Sequence, residues 1–212
     1  MTTKTYTELL DQIKSLCGVE FAIVELPRIN AFVNRRAKRA YRSSNNWPRF
    51  ITVGQSRAVT SKNIPYAEGV LDTIGTFLKI QAVAPYTTTS PQDFNFYVDS
   101  TGAKLITSAS PTVAFVTYKK VLSDVYGETT SMQPLVPSEW FDYIAHGVYS
   151  DYLRAEGQQE KSQMADQEAS MILNDELVQI EQQGAGITFG TRFLTNVGGN
   201  ATSNAVPRTS QG

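Results

Sequence analysis

Read for its apolar positions alone, the chain has helical ends and an extended middle. Residues 6–16 place Leu9, Leu10, Ile13 and Leu16 at the three-and-four spacing of one helix face, with Thr5 or Thr7 as the cap and Gly18 as the stop. A second helix begins near Pro27, which suits a first-turn position because its missing N–H costs nothing there. Its apolar face carries Ile29, Phe32, Val33, Ala37, Ala40 and Tyr41. Residues 137–183 predict two further helices. Pro137 occupies the first helical position with Glu139 in the same turn, and Phe141, Ile144, Ala145, Val148, Tyr152 and Leu153 share a face. Gly157 is the hinge, and the spacing resumes at Ala165, Ala169, Ile172, Leu173, Leu177 and Ile180.

Between Trp47 and about Val125 the spacing becomes extended. Thr, Val, Ile, Phe and Tyr alternate between scattered prolines, a combination that predicts strands at residues 50–53, 70–74, 75–83, 94–98, 104–107 and 112–121. Residues 99–102 form the turn of the clearest hairpin. Strands grouped between helical segments, with no regular alternation of the two, predict an α+β class. The expected architecture is an antiparallel helical bundle (residues 1–45 and 134–183), an inserted β-sandwich or small β-barrel (46–133) and an extended C-terminal arm (184–212). The arm is rich in Gly, Asn, Ser and Thr, yet Ile187, Phe189, Phe193 and Leu194 make it too apolar for a plain linker. We expect it to dock on a partner.

Charge sharpens the reading of the helices. Arg28, Arg35, Arg36, Lys38, Arg39 and Arg42 lie within residues 28–42 without an acid among them. Between residues 151 and 181 eight acids, including Asp151, Glu160, Asp166 and Glu168, face only Arg154 and Lys161. Like charges at helical spacing repel by a few tenths of a kcal/mol per pair, so the basic helix calls for a negative neighbour or for solvent around its charged heads. Nucleic acid phosphates and the acidic hairpin, of the same or a neighbouring subunit, both qualify. Net charge over the 212 residues is −1, which argues against a globally basic nucleic-acid binder and leaves a local patch open.

The length and an apolar fraction of 41% allow a genuine core. No stretch approaches the length of a membrane span and no secretory leader is visible, so a soluble chain from a reducing compartment is expected. With Cys17 and His146 as the only residues of their kinds, a Cys/His zinc site or an HExxH site cannot be built, and no disulfide can close within the chain. No glycine-rich phosphate loop is present. A Cys17–His146 nucleophile and base pair is disfavoured because both lie in predicted helices. Trp47, Tyr97, Tyr118 and Trp140 read as core or interface anchors. No catalytic, cofactor or metal site is expected.

The segments PRINAFVNRRAKRAYRSSNNWP and VPSEWFDYIAHGVYSDYLRAEGQQEKSQ, separated by a β insertion, resemble the head-to-tail adaptor proteins of tailed bacteriophages, the tail tubular A proteins of short-tailed phages in particular. The resemblance covers the layout of residues 5–183. It implies a virion protein of the neck or tail, assembled in the host cytoplasm as a closed ring of about twelve copies. Its partners would be the portal above, contacted by the C-terminal arm, and the tail nozzle or tube below, with genome DNA passing through the channel. Within such a ring Arg35, Arg36 and Arg39 are expected to face Glu160, Asp166 and Glu168 of the hairpin, or acids of the portal, while Ile187, Phe189, Phe193 and Leu194 dock the arm. Two other readings stand beside it: a nucleic-acid-binding module using residues 28–42, and a cell-wall hydrolase acting through paired carboxylates.

Overall fold

The computed structural model describes residues 3–85, 87, 92–123, 126, 127 and 135–186, the last four by backbone alone. It is a mixed α+β fold with antiparallel sheets and, among the described residues, four α-helices. Helix α1 (Tyr6–Cys17) opens with a reciprocal capping box: the Thr5 side chain accepts from the Glu8 N–H, and the Glu8 carboxylate accepts from the Thr5 N–H. It ends on Gly18, as the spacing predicts. Helix α2 (Leu26–Ser43) buries Leu26, Ile29, Val33, Ala37 and Ala40, and Trp47 just beyond it donates its indole N–H to the Ala40 carbonyl at 2.8 Å.

Helix α3 (Ser138–Ala155) is the centre of the helical layer, with α1, α2 and α4 (Gln159–Gly186) all packed against it. Its interior positions Trp140, Phe141, Ile144, Ala145 and Val148 are almost fully withdrawn from water. Trp140 stacks on Phe50 at 5.0 Å and meets Trp47 edge-on at 5.4 Å. Gly157 takes the left-handed conformation, φ +79°, which lets the chain turn directly from α3 into α4. Beside that turn the two helices are drawn together by the buried Ser150 hydroxyl, which donates to the Ser162 carbonyl at 2.8 Å.

Pro137 is not the first helical residue. It precedes α3 in an extended conformation and pairs, within β8 (Val136–Pro137), with β1 (Thr3–Lys4), a two-residue ladder too short to leave a periodic signal. Helix α4 runs to Gly186, three residues into the segment expected to begin the arm. The remainder of that arm, with Ile187, Phe189, Phe193 and Leu194, lies outside the described residues.

The strands form two three-stranded antiparallel sheets. One has the order β2 (Ile51–Ala58), β7 (Val113–Lys120), β4 (Ile74–Gln81); the other has β3 (Asn63–Pro65), β6 (Gly102–Ile106), β5 (Asn95–Asp99). Ala114, Val116 and Tyr118 of β7 alternate inward and share one apolar cluster with Ile74, Phe77 and Ile80 of β4 and with Ile64, Ala103 and Leu105 of the other sheet. No closed barrel forms among the described residues, so the barrel alternative does not hold. Residues 70–73 are not a strand: Leu71 N–H donates to the Glu68 carbonyl in a turn, Val70 is fully exposed, and pairing starts only at Ile74.

Lys119 joins the sheet to the helices. It points away from the inward face of β7, and its ammonium donates to the Tyr41 and Ser44 carbonyls at 2.5 and 2.7 Å while lying 3.7 Å from the centre of the Tyr41 ring. Tyr41 Oη in turn donates to the Lys120 carbonyl at 2.6 Å. A cation at the last carbonyls of a helix also meets the negative end of its dipole.

Candidate functional site

The six cations of α2 do not share one fate. Positions 29, 33, 36 and 40 follow the four-three-four spacing of a buried stripe, so Arg36 falls on the inner face. On α3 the same spacing runs through Ile144, Val148 and Asp151. Arg36 and Asp151, each 4% exposed, therefore meet inside the helical layer. Arg36 Nε donates to Asp151 Oδ2 at 3.0 Å and Nη2 to Oδ1 at 2.9 Å, a forked pair, while Nη1 donates to Asp166 Oδ1 on α4 at 2.7 Å. Arg35 Nη2 reaches Asp151 Oδ2 from the solvent side at 2.7 Å.

Burial opposes the charged form of Arg36, but its bonds to Asp151 and Asp166 outweigh that opposition and its pKa is raised. Burial likewise acts against the Asp151 carboxylate, yet Arg36 and Arg35 hold it below the usual carboxylate range. A glycine makes room for this pair. A Cβ on Gly147, in the middle of α3, would lie 2.8 Å from Arg36 Cδ and 2.9 Å from Nε, so the arginine stem crosses α3 where no side chain stands.

Arg35 and Arg36 do face acids of the hairpin, as expected, but those of their own chain. Arg36 is an interior residue satisfied by its own chain and is withdrawn from any interface, while Asp166, partly exposed, holds Arg36 through Oδ1. Arg35 is 61% exposed at its side chain but is engaged with Asp151. Glu160 is exposed, and Glu168, also exposed, has its carboxylate 3.4 Å from Nδ1 of His146 without hydrogen-bond geometry. Arg28 pairs with Glu156 at 3.0 Å.

Lys38, Arg39 and Arg42 are exposed and have no ion-pair partner among the described residues. Arg39 and Arg42 form a ridge between two shallow grooves. One groove separates α2 from the α3–α4 hairpin and is lined by Tyr143, Ser170, Leu173, Asn174 and Leu177; the other runs along Ala31, Asn34, Arg35 and Lys38. Tyr143 is 1% exposed, and its hydroxyl has no hydrogen-bond partner of normal geometry. Burial pushes its phenol up, against the pull of the adjacent Arg36 guanidinium, by charge and by hydrogen bonding, and of the Arg39 charge. Chemically the exposed surface of this region offers guanidinium and ammonium donors to an anionic oxygen.

The groups associated with other chemistry are dispersed. Burial raises the half-buried Cys17 thiol to about 11, which leaves little thiolate at neutral pH. No group of three or more His, Cys, Asp and Glu side chains is placed to hold a metal ion among the described residues. Trp47, Tyr118 and Trp140 are core residues, but Tyr97, on the edge strand β5, is 56% exposed and anchors nothing in the interior. No helix among the described residues is long and apolar enough to cross a membrane.

Sequence spacing held the signal for the interior pair, in charged residues on otherwise apolar stripes. The groove residues Tyr143, Ser170 and Asn174 carry no such mark, because they become neighbours of Arg39 only when three helices pack. No known family profile matches the chain, and no curated protein matches its sequence.

Proposed function

We propose that this chain is a structural protein of a tailed-phage virion, a head-to-tail adaptor that forms a ring between the portal and the tail nozzle or tube. The observation that carries the reading is the order of elements: a short helix, a basic helix leaving through a Trp-Pro exit, a β insertion, and a helical hairpin turned at a glycine. In this reading the helices form one antiparallel bundle, the two sheets a β-sandwich borne on it, and the residues after α4 an arm that docks on the portal. The protein works by contact and has no turnover. Its exposed cations favour correct register between partners more than raw affinity.

The test is to mix the purified full chain with portal rings and image the product. A ring of this chain seated on the portal is expected, and absence of any association overturns the reading. The unpaired Lys38, Arg39 and Arg42 also support a second reading, nucleic-acid binding. A filter assay separates the two, because phosphate binding weakens steeply as salt rises.

A further inference from the structure

The charges left after the interior pairs have formed are sorted to different flanks of the α3–α4 hairpin. On the α2 side, Lys38, Arg39 and Arg42 are exposed and without ion-pair partners among the described residues, along grooves lined by residues of α2, α3 and α4. Two neighbouring exposed guanidiniums suit carboxylates, which take several donors at once.

On the α1 side, the carboxylates of Glu139, Asp142, Asp175 and Glu176 are grouped. Asp142 accepts from Gln12 of α1 at 3.0 Å, and no ion pair reaches any of the four among the described residues. Burial, then the fields of Glu139, Asp142 and Asp175, raise the pKa of Glu176, as expected of acids that neutralise one another poorly. Each group therefore has what the other lacks, and no ion pair joins the two within the chain among the described residues.

We infer that the groove between α2 and α4, with Arg39 and Arg42, is a carboxylate-docking site for the Glu139, Asp142, Asp175 and Glu176 cluster of a second copy. The contact is heterologous, one flank of a copy on the opposite flank of the next, and such a contact closes into a ring when its rotation permits. It rests on the adaptor reading only in that copies are taken to meet side by side. It differs from the interface expected from sequence, whose Arg36 is buried and bonded to Asp166 of its own chain.

Charge reversal tests it on the full chain. Arg39→Glu/Arg42→Glu makes both flanks acidic, and Asp175→Lys/Glu176→Lys makes both basic. Sedimentation at low ionic strength should show salt-sensitive association of the wild type and monomers for each variant alone, with association recovered when the two variants are mixed. Unfolding curves of the reversed variants, which should match the wild type, show that lost association is not lost folding. Association unchanged by both reversals, no recovery on mixing, or a monomeric wild type overturns the contact. So does loss of DNA binding in Arg39→Glu/Arg42→Glu with self-association intact, which assigns the strip to nucleic acid. A ring that still seats both reversed variants on the portal sinks this contact and spares the adaptor reading; self-association as described without portal binding does the converse.

Discussion

Replacing Gly147 by alanine tests the interior pair most directly, because two effects of opposite sign meet there. Alanine in a helix interior is favoured over glycine by about 1 kcal/mol. Against this, the new methyl would stand 2.8 Å from Arg36 Cδ, 2.9 Å from Nε and 3.2 Å from Cζ. Carbon contacts settle near 3.5–4.0 Å, so the arginine stem must retreat by roughly 0.7 Å. It is held on its far side by three bonds of 2.7–3.0 Å, and such a shift carries them out of the normal range. Weakening hydrogen bonds to charged groups worth about 1.5–3 kcal/mol each, less the gain in propensity, gives a net loss of about 1–3 kcal/mol.

Urea unfolding followed by circular dichroism should show Gly147→Ala with a midpoint lower by about 1 M and an unchanged slope. In an Arg36→Ala background the obstacle is gone, and the same substitution should stabilise by up to about 1 kcal/mol. If that background is too unstable to measure, Arg36→Ala/Asp151→Ala removes both halves of the pair and leaves no buried charge between them. The same sign in both backgrounds, or stabilisation of the wild type, refutes the reasoning.

Asp151→Ala alone should cost about 3–5 kcal/mol, because it strands the Arg36 charge, whereas Arg35→Ala should cost about 1 kcal/mol or less, both read by the same unfolding assay. The lowered pKa of Asp151 makes its contribution full above the unfolded carboxylate value near 4 and lost as pH falls through the folded value. An acid titration by circular dichroism should therefore show a shallower low-pH limb in Asp151→Asn than in the wild type. Burial pushes Lys119 down to about 8, so between about 8 and the ordinary lysine value near 10.4 the unfolded chain binds the extra proton and stability gains with rising pH. Over that window the wild type should gain on Lys119→Met, whose curve lacks this term; a constant difference between the two would contradict it. Trp140→Ala should cost about 3–5 kcal/mol, as for a buried aromatic, while Tyr97→Ser on the exposed edge strand should stay within about 0.5 kcal/mol.

The elements themselves were legible in the chain. Apolar spacing located all four helices and the strands β4, β5, β6 and β7 within a few residues, because each depends on its own stripe or alternation. Capping at Thr5 and the turn at Gly157 are equally local. The spacing misled at residues 70–73, where apolar composition occurs in a turn, and of the core or interface roles expected for Tyr97 the core one falls, because its strand lies at a sheet edge. The two-residue ladder of β1 and β8 was invisible, since a pairing that short leaves no period to detect.

Sequence alone determined that two oppositely charged helical segments had to be reconciled, since charge is a property of residues and their order. Which charges cancel was decided only by packing. Rotation of α2 and α3 about their axes turned Arg36 and Asp151 inward and left Lys38, Arg39 and Arg42 outside, and the packing of α4 placed Asp166 beside the first pair and Ser170 and Asn174 beside the second group. Coulomb interactions act over a few ångströms, so partners distant in the chain are chosen by the fold that brings them together.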